Sequence, residues 1–85
     1  MQNIDMNKFL RIVSDYGYKK VRQNGGSHGI YERVVLVRVG NKEVTLKDTI
    51  SVPTGKTVNG CMARRLIKQM DGFEEYICDN RKWII

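Results

Sequence analysis

His28 is the single histidine of the chain and the side chain best suited to chemistry. An imidazole exchanges protons near neutral pH, which suits a general acid or base. His28 follows Gly25-Gly26-Ser27, where the backbone is unobstructed and successive amides could contact phosphate oxygens. Lys19, Lys20, Arg22 and Arg33 lie close in sequence and supply positive charge. These residue types together fit the metal-independent cleavage of RNA. That reaction needs a base for the 2′-hydroxyl, an acid for the leaving oxygen and cations for the phosphate. His28 suits either of the first two roles. A histidine that opens a strand is also ordinary surface, and no triad, carboxylate pair or metal cluster accompanies it here.

Other candidates carry less. Gly25-Gly26 is too short for a dinucleotide or Walker loop. Lys19-Lys20 and Arg64-Arg65 read as solvated faces before they read as a binding stripe. Cys61, among apolar neighbours in a helix, is expected to pack, as are Met62, Met70 and Tyr31. Cys61 and Cys78 stand at no metal-ligand spacing and are expected to be reduced. No cofactor is implied.

At 85 residues the chain has room for one domain and one small core. The longest aliphatic run, Val34 to Val37, is far short of the roughly 20 residues of a membrane span. The start, MQNIDMNKF, has no basic segment followed by an apolar one, so no signal peptide is expected and the location is read as cytoplasmic. The net charge is +6. Residues 1–70 hold 13 basic and 5 acidic groups, whereas residues 71–85 hold 2 and 4. The body is therefore basic and the tail opposes it. A basic body attracts polyanions, of which nucleic acid is the commonest in a cell.

The elements that must position His28 follow from periodicity. Met6, Phe9, Leu10, Val13 and Tyr16 share one helical face, with Asp5 or Asn3 as cap and Gly17 as the C-terminal stop. Tyr18 to Arg22 reads as a short strand and Asn24-Gly25-Gly26 as a turn. His28 to Val39 and Glu43 to Val52 form a hairpin around Gly40-Asn41. If those two residues are the loop, Val37 meets Val44, Val35 meets Leu46, Tyr31 meets Ile50 and His28 meets Pro53. Arg33 then faces Asp48 and Arg38 faces Glu43, and His28 lies on the polar face away from the core. A second helix runs from about Asn59 to Met70 and ends at Asp71-Gly72. The tail from Phe73 to Ile85 reads as two short strands or an irregular packed segment, with Trp83, Ile84 and Ile85 folded back on the body. The expected fold is a two-layer α+β domain of order α-β-β-β-α, residues 1–72, plus an extension, residues 73–85, packing on it. This order is similar to that of double-stranded RNA-binding domains.

The residues also carry a more specific resemblance. Phe9-Leu10, Tyr16-Gly17-Tyr18, Val21-Arg22-Gln23 and Gly26-Ser27-His28-Gly29-Ile30-Tyr31 resemble the HicA family of mRNA interferase toxins. Ile50-Ser51-Val52-Pro53 is similar to that family's strand ending in proline, and Leu66-Ile67-Lys68-Gln69-Met70 to the end of its second helix. The resemblance implies a toxin of a toxin–antitoxin pair, an endonuclease that cleaves mRNA. It puts His28 in the catalytic position, shaped by Gly26 and Ser27, and implies a HicB-like antitoxin that covers the site. Lys19, Lys20, Arg22 and Arg33 are the expected RNA-binding cations. Where the family often has histidine, this chain has Gly29 and Thr54, and the second proton-transfer group is unassigned. The alternatives are a non-catalytic RNA-binding domain of the same fold or a protein-interaction module.

Overall fold

The computed structural model describes residues 2–81. A short strand β1, Ile4–Asp5, leads directly into α1, Met6–Asp15. Asp5 caps the helix, its carboxylate accepting from the Lys8 amide at 3.3 Å. The other end closes as the sequence expects. Gly17 adopts φ +95°, its amide donates to Ser14 O at 2.9 Å, and the Tyr18 amide donates to Val13 O at 3.2 Å. This is the paired bonding of a Schellman cap. An added Cβ on Gly17 would also come within 3.3 Å of Arg33 Nε.

Three antiparallel strands follow in sheet order β2-β3-β4: β2, Lys19–Asn24; β3, His28–Val39; β4, Lys42–Pro53. The β3–β4 register is the expected one throughout, from Val39 opposite Lys42 to His28 opposite Pro53. Gly40, at φ +63°, takes the first central position of the turn. A second, two-stranded sheet pairs β1 with β5, Thr57–Val58. The sequence gives no sign of it, because two residues are too few for a period.

The second helix, α2, spans Gly60–Arg81. Asn59 caps it, accepting from the Cys61 amide at 2.8 Å. The expected stop at Asp71-Gly72 does not occur, and the boundary between residues 72 and 73 falls inside the helix. The strands or irregular tail expected after Phe73 are, through Arg81, the second half of α2. The reason is burial. Ala63, Leu66, Met70, Phe73 and Ile77 form one buried stripe at alternating spacings of three and four. Packing two more apolar side chains outweighs the roughly 1 kcal/mol cost of a helical glycine. Residues 82–85, with the proposed fold-back of Trp83, Ile84 and Ile85, lie outside the described residues.

Both helices pack on one face of the sheet, giving a small α+β domain. Phe9, Val13, Val37, Leu46, Met70 and Ile77 belong to a single core cluster. Tyr31 is half-buried against it. Met62, expected in the core, is 38% exposed, and Cys61, expected to pack, is also exposed. Both lie off the stripe that begins at Ala63. Arg33 and Asp48 sit opposite one another as expected, but their charges go elsewhere. Arg33 pairs with Glu74 and lies 5.7 Å over the Phe73 ring. Asp48 accepts from Tyr18 OH at 2.6 Å and from Gln69 Nε2 at 3.2 Å. Burial, followed by that bond to Asp48, pushes the Tyr18 phenol well above its ordinary value. Among the described residues no helix is long and apolar enough to cross a membrane.

Candidate functional site

Two neighbouring segments build the His28 site: the β2–β3 turn and the end of β4. Pro53 ends β4, and Thr54 continues the same register one step further. Its amide donates to Ser27 O at 3.0 Å and its hydroxyl donates to Gly26 O at 2.9 Å. The Gly25-Gly26-Ser27 turn is thus tied twice to a rigid strand end. His28 is half-buried, and its Nδ1 lies 3.1 Å from Ser27 Oγ. That contact orients the ring and makes Nε2 the candidate atom for proton transfer.

Strand alternation puts His28, Ile30 and Glu32 on the sheet face away from the helices, and Gly29, Tyr31 and Arg33 on the helix side. The β2 cations divide between the two. Lys19 is opposite Glu32 and Lys20 is opposite Tyr31. The register then slips by one residue between Lys20 and Arg22, so Arg22 meets Ile30 instead of Gly29. This bulge turns Arg22 onto the face of His28, a common use of a bulge near a site. It also leaves Val21 51% exposed.

The outer face therefore gathers His28, Lys19 and Arg22 beside the Gly26-Ser27 turn. Lys20 lies behind the sheet, lining a cavity of about 170 Å³ together with Met6, Leu10, Tyr31, Val52 and Pro53. Arg33 lies behind the sheet as well, held by Glu74 between the first helix end and α2. The structure thus separates two of the sequence-predicted cations from the other two. Thr54 enters the sequence reading only as a position without histidine. Extending the hairpin register by one step beyond Pro53 would have put it opposite Ser27. Among the described residues no group of three or more His, Cys, Asp or Glu side chains gathers.

No protein-family model, curated protein or solved structure matches the chain.

Proposed function

We propose that this domain binds RNA on the outer face of its sheet and cleaves it at a 2′-hydroxyl, as a HicA-like interferase of the double-stranded-RNA-binding type. The supporting observation is the tethered turn: the sole imidazole stands half-buried beside Ser27, on the same face as Lys19 and Arg22. In this reading His28 takes the proton from the 2′-hydroxyl. That oxygen attacks phosphorus, the bond from phosphorus to the 5′-oxygen breaks, and water protonates the leaving oxygen. Lys19 and Arg22 hold the phosphates, while Gly26 and Ser27 shape the turn against the strand. A HicB-like antitoxin would cover this face.

The test is His28→Ala in the full chain. General acid–base groups contribute about 10²–10⁴-fold, so cleavage of a mixed mRNA and growth arrest on expression should both be lost. Binding should persist and circular dichroism should be unchanged. Undiminished cleavage by the variant would remove His28 from the mechanism.

One observation favours a second reading, RNA binding without cleavage. Thr54, at a position where the family often has histidine, uses both its amide and its hydroxyl to hold the turn. For that reading the wild type protects RNA without cutting it. Neutralising Lys19 and Arg22 would then weaken binding and flatten its salt dependence.

A further inference from the structure

We propose that two copies of this chain pair edge to edge through β4, about a two-fold axis at Thr45. The starting point is where the backbone groups of β4 point. Thr54 donates to Ser27 and the hairpin has a two-residue loop, so even-numbered β4 residues exchange hydrogen bonds with β3. The odd-numbered residues direct their N–H and C=O to the opposite edge. Among the described residues no strand pairs with that edge. Part of it is closed, because Gln69 reaches round from α2 and donates to Thr49 O at 3.2 Å. The hairpin turn closes the other end at Gly40. The open stretch is therefore 43–47, and its centre is Thr45.

The side chains select the same centre independently. In an antiparallel pair about Thr45, Glu43 of each copy faces Lys47 of the other, Lys42 faces Asp48, and Val44 faces Leu46. Opposite charges directly across a strand pair stabilise it, and like charges destabilise it. A centre at Val44 puts Lys42 against Leu46. A centre at Leu46 puts Val44 against Asp48, and one at Lys47 sets lysine against lysine. Only Thr45 satisfies both the charges and the apolar pair. Odd-numbered pairs then carry the hydrogen bonds: Thr45 with its copy, and Glu43 with Lys47 on either side of the axis.

The helical layer leaves room for this arrangement along 43–47, with Gln69 of α2 meeting the edge only from Asp48 on. The two β3 strands would stand three strand spacings apart, about 14 Å. The α2 helices lie nearer β3 than β4, so they clear the roughly 8–10 Å of packed helices. An axis perpendicular to the sheet keeps both outer faces on one side. The result is a six-stranded sheet of order β2-β3-β4-β4-β3-β2 with one continuous outer face. The pairing is isologous and closed, so it ends at two copies.

Sedimentation equilibrium of the full chain across the micromolar range tests the pairing. Wild type should be a dimer. Glu43→Lys and Lys47→Glu should each weaken it about tenfold or more, since each sets like charges face to face. Mixing the two variants should restore the dimer, because every Lys then meets a Glu. Thr45→Pro removes the central donor at an edge position where β3 loses no bond, so it should give a folded monomer. A monomeric wild type overturns the proposal. So does a mixture that stays monomeric while each variant melts like wild type.

Discussion

Gly72→Ala separates an unbroken α2 from a helix that stops at Asp71-Gly72 by the sign of its effect. Gly72 lies well inside α2, its φ is not in the left-handed region, and an added Cβ would meet no atom within 4 Å. Alanine is then a pure gain in helix propensity and in unfolded-state entropy, about 0.5–1 kcal/mol. For a domain of this size that raises Tm by about 2–8 °C. In urea, with a slope near 1 kcal/mol/M, the midpoint should rise by about 0.5–1 M with the slope unchanged. If Gly72 were instead the left-handed stop that the sequence expects, the Cβ would cost about 1–2 kcal/mol and both midpoints would fall. A fall therefore refutes the continuous helix and, with it, the packing of Phe73 and Ile77 on the hairpin.

Ile77 is fully buried, so Ile77→Ala should cost about 2–5 kcal/mol in urea unfolding, against less than about 0.5 kcal/mol for the exposed neighbour Glu75→Ala. Equal, small losses at both positions would mean that the end of α2 carries no core. The Tyr18 phenol is raised in the folded state, so its stabilisation is complete below the unfolded value of about 10 and is lost as pH climbs above it. Tyr18→Phe should therefore be less stable than wild type at pH 8, with the gap closing in urea melts above pH 10; parallel curves would show that the phenol is neither buried nor bound to Asp48 in the folded state.

The hairpin was legible because strand alternation and a two-residue turn fix one register, and a slip of one would turn every side chain over. The helix stop at Gly17 was legible, and the start was narrowed to Asp5 or Asn3, because capping is local chemistry. What was not legible depended on contacts distant in sequence. Arg33 faces Asp48 on the strand, yet Tyr18 and Gln69 take the carboxylate and Glu74 takes the guanidinium. The bulge at Val21 adds one residue without altering composition, so nothing in the sequence told Arg22 from Lys20. At the site, the Gly-Ser-His turn and the strand beside it were visible, but the two bonds by which Thr54 holds the turn were not. Asp71-Gly72 reads as a stop when taken alone, and only the burial of Phe73 and Ile77 overrides it.

The long hairpin and the long helix are consequences of each other. Twelve-residue strands reach about 40 Å at about 3.4 Å per residue. A helix ending at Met70 would run about 17 Å at 1.5 Å per residue. It would leave the distal pair around Val37 and Leu46 bare. Continued to 22 residues, α2 reaches about 33 Å and follows β3 toward the turn. Gln69 meets Asp48 and Thr49, Glu74 meets Arg33, and Ile77 lies a turn further on, in the same core as Val37. Strand β2 did not lengthen with them: its six residues pair with β3 only between His28 and Glu32. The distal hairpin is thus two strands wide, covered on one face by α2 and open along β4 from Glu43 to Lys47. A ribbon of two strands is marginal by itself. The helix supplies the packing it lacks, and pairing with a second copy would supply the missing neighbour.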